Sequence, residues 1–159
     1  MKVPEYFHVN RNIISGTHNL EHVFSGLEKV PVLKKVFKNK LGRVLEKTKV
    51  KIIASKFYLW VDKNSGNIFV ARRYLRRGKL WTIYLDIIHE LVHIKQFHEG
   101  KNLYDTRFDY VHMKTEIEAY YITVKEAKRI GICKKQIRSY LKVPWITRTE
   151  CEKLFEEVC

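Results

Sequence analysis

Residues 86–100 read DIIHELVHIKQFHEG and contain the pattern H-E-x-x-H at His89, Glu90 and His93. An α-helix advances about 100° per residue, so His89 and His93 would lie one turn apart on one face and could share a metal ion. Two neutral imidazoles suit zinc, and a catalytic zinc site needs one further protein ligand and an open position for water. Glu90, held beside that water, would be the general base for hydrolysis of a peptide bond. The stretch therefore predicts a helix that carries a metal site.

The residues around the motif follow helical spacing and divide into two faces. The apolar face consists of Tyr84, Ile87, Ile88, Leu91 and Ile94. The polar stripe consists of Thr82, Asp86, His89, His93 and Gln96, and it is flanked by Trp81, Leu85, Val92 and Phe97. The alternative is an amphipathic helix whose solvent side carries two histidines by chance. A polar stripe between apolar groups is more typical of a buried metal site.

An extended three-histidine motif does not fit the residues that follow His93. It would need glycine at position 96 and histidine at position 99, where this chain has Gln96 and Glu99. Glu99 also lies about one and a half turns beyond His93, too far along the helix to complete a compact site. The third ligand must therefore come from another segment.

A second helix is predicted for residues 115–131, TEIEAYYITVKEAKRIG, with Gly131 as its end. Its core-facing residues are Met113, Ile117, Tyr120, Val124 and Ala127. Glu116 lies beside this stripe, whereas Glu118 points away from it. A carboxylate at the edge of a buried face needs a partner, and zinc would supply one. We therefore predict Glu116 as the third ligand with Glu118 in reserve; the alternative for Glu116 is a surface ion pair with a lysine.

The two motifs, H-E-x-x-H at residues 89–93 and E-x-x-A at residues 116–119, together resemble the gluzincin clan of zinc metallopeptidases. More narrowly, the stretch from HELVHIKQ to TEIEAY is similar to small bacterial and archaeal H-E-x-x-H proteins. The resemblance covers roughly residues 66–131. It implies that His89, His93 and Glu116 hold zinc. It also implies that Glu90 is the base and proton shuttle, and that a strand before the first helix holds an extended substrate.

One position departs from the gluzincin pattern. Many gluzincins carry an acidic residue four positions after the ligand glutamate, where it supports a zinc-binding histidine. This chain has Tyr120 at that position. We expect Asp86 or a tyrosine hydroxyl to provide the support instead.

The composition is that of one folded domain spanning residues 1–159. Hydrophobic residues make up 45% of the chain and aromatic residues 13%, which excludes global disorder. No apolar run is long enough for a membrane span, and the first residues lack the apolar core of a secretory signal, so we expect a cytoplasmic protein. The three cysteines, Cys133, Cys151 and Cys159, are widely spaced and are expected to be reduced thiols.

The formal net charge of +14 is unevenly distributed. Residues 29–51 carry nine lysines or arginines against one acid, Glu46. A second basic cluster consists of Arg72, Arg73, Arg76, Arg77 and Lys79. Such a surface attracts nucleic acid, anionic membranes or acidic proteins, but no nucleic-acid motif accompanies it, and a solvated basic surface is the favoured interpretation. The arginine cluster follows the predicted substrate strand and could bias the cleft toward acidic substrates.

The order of predicted elements indicates an α+β fold, a mainly helical zincin-like domain with a small central β-sheet. Residues 1–50 form an N-terminal helical segment, irregular to residue 18 and then helical over 19–30 and 31–47. Residues 51–131 hold the sheet and the zinc-site helices, with strands at 51–61 and 67–71 joined in a hairpin. Residues 132–159 form C-terminal helices at 134–141 and after Thr147, whose capping box is completed by Glu150.

Two further features of residues 51–131 bear on the site. Ile68, Phe69 and Val70 immediately precede the H-E-x-x-H helix and are predicted to be the substrate-binding edge. Residues 100–112 form a polar and aromatic loop that could cover the cleft. Within it, Tyr110 and His112 are candidate oxyanion stabilisers, with a structural role as the alternative for each.

These patterns predict a zinc-dependent metallopeptidase. Zinc would polarise the scissile carbonyl and activate water, while Glu90 takes the water proton and passes it to the leaving amine. The expected partner is a peptide or protein substrate. The alternatives are a catalytically inactive zinc-binding scaffold and a basic nucleic-acid-associated protein. The sequence makes no prediction of the oligomeric state.

Overall fold

A computed structural model describes residues 2–105 and 107–159 of the chain, so that Thr106 of the predicted covering loop lies outside the described residues. The strands are β1 (His8–Val9), β2 (Gly16–Asn19), β3 (Phe24–Ser25), β4 (Lys49–Ile53), β5 (Leu59–Val61) and β6 (Ile68–Ala71). The helices are α1 (Leu20–Val23), α2 (Pro31–Phe37), α3 (Leu41–Lys47), α4 (Arg72–Arg77), α5 (Leu80–His98), α6 (Lys114–Arg129), α7 (Lys134–Leu141) and α8 (Arg148–Val158). Short 3-10 turns span Leu27–Lys29, Lys38–Lys40 and Tyr110–His112. The fold class is therefore α+β, as predicted.

The main sheet has the strand order β2-β4-β6-β5. Strand β4 pairs with β2 antiparallel and with β6 parallel, and β6 pairs with β5 antiparallel. The predicted hairpin is confirmed, because β5 and β6 are joined by a turn in which the Asp62 carboxylate accepts from the Ser65 backbone N–H at 2.9 Å. Gly66 completes the turn with a φ of 67°, a conformation that favours glycine.

The predicted substrate edge at Ile68–Val70 is wrong. Strand β6 is hydrogen-bonded on both sides and has no free edge. The predicted strand over residues 51–61 is also too long, since residues 54–58 separate β4 from β5. The edge strand at this end of the sheet is β5, which pairs with β6 alone.

The N-terminal predictions are corrected in three places. The first 18 residues are not irregular throughout, because β1 pairs with β3 and the beginning of β2 pairs with β4. The predicted helix over 19–30 is the succession α1, β3 and a 3-10 turn. The predicted helix over 31–47 is broken at Lys38, which has a φ of 51°. Each half buries its own apolar residues, Val32, Leu33 and Phe37 before the break and Leu41 after it.

Helix α5 lies at the centre of the molecule. Its apolar residues are almost completely shielded from solvent on every side: Ile83, Tyr84, Leu85, Ile87, Ile88, Leu91, Val92 and Ile94. Burying a side chain of this size contributes about 1.5–3 kcal/mol. The helix packs most extensively against α6 and also contacts β5. Helix α6 and the edge strand β5 therefore lie beside the H-E-x-x-H motif.

The C-terminal half of the chain follows the predictions closely. Helix α6 is followed by Gly131 with a φ of 79°, and α7 has the predicted bounds. Thr147 and Glu150 form the capping box of α8. The three cysteines are free thiols. Within the described residues, no helix combines the length and apolar character needed to cross a membrane.

Candidate metal centre

His89 and His93 project from one face of α5 toward Glu116 in the first turn of α6. The two Nε2 atoms are 3.0 Å apart. Glu116 Oε2 lies 3.3 Å from His89 Nε2, and Glu116 Oε1 lies 3.3 Å from His93 Nε2. All three residues are buried, with exposed fractions of 6%, 3% and 4%. The structure therefore brings together the three predicted ligands as a group that could hold a metal ion.

The spacing of these donor atoms matches a tetrahedral cation. Ligand atoms about 2.0–2.1 Å from a tetrahedral zinc ion are about 3.3 Å from one another. The three separations here are 3.0, 3.3 and 3.3 Å. Among the residues that the structure describes, two buried carboxylate oxygens, Glu116 Oε2 and Glu90 Oε2, accept no hydrogen bond. Buried oxygens of this kind are costly without a partner, and a cation would provide one.

The electrostatics of the cluster also favour a cation. Burial raises the pKa of Glu116, but the imidazoles of His89 and His93 outweigh it, so the pKa lies well below its usual range. Burial lowers the pKa of His89, although Glu116 opposes the shift. Burial also disfavours protonated His93, but hydrogen bonding and attraction to Glu116 raise its pKa to about 9. An ionised carboxylate thus lies between two imidazoles, an arrangement that requires a positive charge from a proton or a metal.

Gln96 supports His93 from the side opposite the cluster. Its Oε1 atom lies 2.7 Å from His93 Nδ1, and its amide nitrogen donates to the Thr115 carbonyl at 2.9 Å and to Glu118 at 3.0 Å. Gln96 is completely buried. An Nδ1–H that donates to Gln96 leaves the lone pair of Nε2 directed at the cluster. Gln96 belongs to the polar stripe of the sequence, but this supporting role was not predicted; its position one turn after His93 was the available signal.

The expected support from Asp86 is not found. Asp86 instead accepts hydrogen bonds from the hydroxyls of Tyr74 and Tyr140. Tyr120, which stands where many gluzincins have an acid, packs its ring against His89 with the centroids 4.4 Å apart. Among the described residues His89 Nδ1 has no hydrogen-bond partner.

Glu118, the reserve ligand, lies outside the cluster. It forms ion pairs with Lys101 at 2.9 Å and with Lys95 at 3.8 Å, and it accepts from Gln96. Its side chain is about one-third exposed. Glu118 therefore braces Gln96 rather than approaching the histidines.

Glu90 lies beside the cluster and is 7% exposed. Burial raises its pKa to about 8, and the negative charges of Glu116 and Asp86 act in the same direction. His93 and a hydrogen bond from the Val61 backbone oppose the shift. A carboxyl whose pKa lies near neutrality can both accept and donate a proton, which is the property of a general acid–base group.

The cluster opens into a cleft of about 570 Å³. Its lining is mainly aromatic and apolar apart from the ligand group, Glu90 and one lysine: Lys56, Phe57, Tyr58, Leu59, Trp60, His89, Glu90, His93, Tyr104, Tyr110, Glu116, Pro144 and Trp145. The residues at positions 56–60 come from β5 and the segment before it. The cleft therefore runs between the edge strand and the metal-binding group.

The structure separates the two predicted oxyanion stabilisers. Tyr110 lines the cleft, and its hydroxyl lies 2.9 Å from that of Tyr120. Burial raises the pKa of Tyr110 well above its usual value, with the charges of Tyr120 and Glu116 adding to the effect. His112 does not line the cleft. Its side chain is 58% exposed, and Nδ1 lies 3.9 Å from Asp109 Oδ2.

Comparison with known proteins yields no match to this chain among family models, curated proteins or solved structures. The likeness to gluzincins therefore depends on the H-E-x-x-H and E-x-x-A positions alone. The function is inferred from the side chains of the site.

Proposed function

We propose that the chain is a zinc-dependent metallopeptidase with a gluzincin-like site in a zincin-like arrangement of sheet and helices. The observation that supports it most strongly is the convergence of the His89, His93 and Glu116 donor atoms in one cleft with the buried carboxyl of Glu90. Two histidines and one glutamate are a ligand set of catalytic zinc sites, and they leave one position of a tetrahedral ion open.

His89, His93 and Glu116 hold the metal, and Glu90 moves the proton. When bound, zinc supplies Lewis acidity, which polarises a carbonyl and lowers the pKa of a water molecule. Glu90 accepts the proton of the attacking water and donates it to the leaving amine.

Tyr110 is the proposed donor to the developing oxyanion. Tyr110 lines the cleft, its hydroxyl lies 2.9 Å from that of Tyr120, and burial raises its pKa well above the usual value, which favours the neutral hydroxyl. A neutral hydroxyl donates a hydrogen bond to an oxyanion without a competing charge of its own. His112 has no role in the proposal, since it lies outside the cleft.

The outer edge of β5 is the proposed binding surface for the substrate backbone. Two backbone hydrogen bonds mark the side of β5 that faces β6. The Tyr58 carbonyl accepts from the Ala71 N–H, and the Asp62 N–H donates to the Asn67 carbonyl. The alternate residues Leu59 and Val61 therefore turn their backbone groups outward.

The two outward-facing residues of β5 have different roles. The Val61 carbonyl accepts from the Tyr104 hydroxyl at 2.6 Å, and the Val61 backbone hydrogen-bonds Glu90. Leu59 lines the cleft, so its N–H and C=O are positioned to pair with an extended peptide. A peptide added to β5 at Leu59 lies directly beside the metal-binding group.

A metal analysis combined with a cleavage assay tests the proposal. We expect the wild type to retain about one zinc ion per chain and to cleave members of a peptide library. Glu90→Gln should keep the zinc and lose cleavage, whereas Glu116→Gln should lose both. Glu157→Gln is the matched control for Glu116→Gln, because Glu157 is exposed on α8 and outside the cluster. It should keep zinc and cleavage.

A zinc-binding scaffold without peptidase activity is the second candidate. Tyr120 favours it, because this residue provides a ring where many gluzincins have an acid. Zinc retention without cleavage by the wild type would establish this candidate. A wild type that binds no divalent metal at all would contradict both.

A further inference from the structure

A second depression of about 530 Å³ adjoins the metal-binding cleft. The lining of this second depression comes from the segment before β5 and from α4 and its flanks: Ser55, Lys56, Phe57, Tyr58, Ala71, Arg73, Tyr74, Arg77 and Gly78. The two depressions share Lys56, Phe57 and Tyr58. They therefore adjoin each other across the exposed side chains of Phe57 and Tyr58, and the two depressions together are called the groove.

The two parts of the groove differ in chemistry. The part beside the metal-binding group is mainly aromatic, with Trp145 and Phe57 exposed at its mouth. The second part is basic, because Arg73 and Arg77 line it and Lys56 lies at the junction. Over residues 2–105 and 107–159, none of these three cations has a carboxylate within 4.0 Å. Unpaired cations that line one depression create a positive field, which attracts an anionic group.

We propose that the second depression is a substrate subsite that binds acidic side chains of a peptide whose bulky apolar residue occupies the aromatic part. This inference rests on the proposed peptidase function. The peptide pairs with β5 at Leu59, places an apolar side chain against Phe57 and Trp145, and extends past Tyr58. Its glutamate or aspartate residues then meet Arg73 and Arg77. The substrate class is therefore an apolar–acidic peptide segment.

A peptide fits this groove better than a nucleic acid does. The groove adjoins the outward backbone groups of an edge strand, which pair with a peptide backbone. Nucleic-acid affinity comes mainly from a run of phosphate contacts, whereas Lys56, Arg73 and Arg77 form one short cluster at the end of an aromatic cleft.

Binding to the full-length, zinc-loaded Glu90→Gln protein tests the subsite without substrate turnover. The first probe is a fluorescein-labelled peptide with a central Phe-Leu pair flanked on both sides by glutamates, and the second replaces every glutamate by glutamine. Anisotropy should show about fivefold tighter binding of the glutamate peptide at low salt. The preference should disappear at high salt and in the Arg73→Gln/Arg77→Gln background.

The Arg43→Gln/Lys47→Gln pair is the matched control. Like the test variant, it removes two positive charges, but from exposed positions of α3 that do not line the groove. This control should keep the preference for the glutamate peptide. An equal loss in both double variants would mean that the overall positive charge attracts the peptide, which overturns the subsite.

Two further outcomes separate the possible failures. Equal affinity for the two peptides overturns the subsite even if the wild type cleaves peptides. A single-stranded RNA that binds more tightly than the glutamate peptide, and depends more on Arg73 and Arg77, also overturns it in favour of a nucleic-acid surface. Discrimination between the peptides without cleavage by the wild type supports the subsite and contradicts only the peptidase function.

Discussion

Gln96 illustrates how one buried side chain can determine the state of a metal ligand. Its carbonyl oxygen faces His93 Nδ1, while its amide group is held by the Thr115 carbonyl and Glu118. These partners leave Gln96 a single orientation, because reversing the amide would place N–H against N–H and oxygen against oxygen. The His93 ring is fixed in turn, with Nε2 available to a cation.

Removal of this support should weaken metal binding without removing a ligand. We expect Gln96→Ala to lower zinc affinity about 10- to 100-fold, as measured by competition with a chromogenic chelator. Gln136→Ala provides the same substitution in α7, far from the cluster along the chain, and should leave the affinity unchanged. An unchanged affinity in Gln96→Ala would show that His93 is oriented by its packing alone.

Asp86 is expected to lower the free energy of unfolding as the pH rises. It is partly buried, and burial raises its pKa to about 6, although the hydroxyls of Tyr74 and Tyr140 oppose the shift. In the unfolded chain the same carboxyl titrates near 3.8. Between these values the folded state keeps a proton that the unfolded state has released, so stability falls as the pH rises through this window.

Asp86→Asn removes this titration and should remove the decrease. We expect the free energy of unfolding of the variant, relative to the wild type, to increase by about 2 kcal/mol between pH 4 and pH 7. Urea titrations of the metal-free proteins measure the difference. The free energy of unfolding of Asp62→Asn, relative to the wild type, should instead decrease as the pH rises, because hydrogen bonds from Ser65 lower the pKa of Asp62. A relative stability of Asp86→Asn that is independent of pH would contradict the assigned shift.

At the scale of elements, the break between α2 and α3 stores backbone strain. Lys38 has φ 51° and ψ −131°, a combination that a residue with a Cβ adopts only at a cost of about 1–3 kcal/mol. We expect Lys38→Gly to raise the free energy of unfolding by about 1 kcal/mol, since glycine adopts this conformation freely. Lys35→Gly, at an exposed position inside α2, should lower it by a similar amount. Denaturant titrations measure both variants, and a lower free energy of unfolding in Lys38→Gly as well as in Lys35→Gly would contradict the assigned strain.

The elements that the sequence predicts well are those whose signals are local. Helical periodicity and end signals predicted α6 and α7, and a turn sequence predicted the β5–β6 hairpin. The break at Lys38 has no such signal, because lysine has no preference for that backbone conformation. It arises from the packing of the two halves against the core.

The candidate site shows the same division between local and tertiary information. His89 and His93 follow from their spacing on one helix, and Glu116 follows from its side of a second helix. The edge position of β5 depends on the pairing of four strands, and strand order is not encoded in any one of them. The placement of His112 outside the cleft likewise depends on how the 3-10 turn Tyr110–His112 packs.

At the scale of the whole molecule, the metal-binding group connects two helices that are distant in the sequence. His89 and His93 belong to α5 and Glu116 to α6, and these helices form the largest element contact of the fold. Glu116 pairs with His93 at this point, and Gln96 adds hydrogen bonds from α5 to Thr115 and Glu118 of α6. A bound ion would link the two helices through three ligand atoms in the folded state alone.

Zinc should therefore stabilise the entire fold. At a free concentration 100 times the dissociation constant, we expect about 2.7 kcal/mol of added stability and a melting temperature higher by about 5–10 °C. Differential scanning calorimetry with zinc and with a chelator measures the difference. Glu116→Gln should abolish the zinc-dependent increase, whereas Glu90→Gln and Glu157→Gln should keep it, because neither Glu90 nor Glu157 belongs to the ligand group. An equal increase in Glu116→Gln would show that zinc binds elsewhere on the molecule.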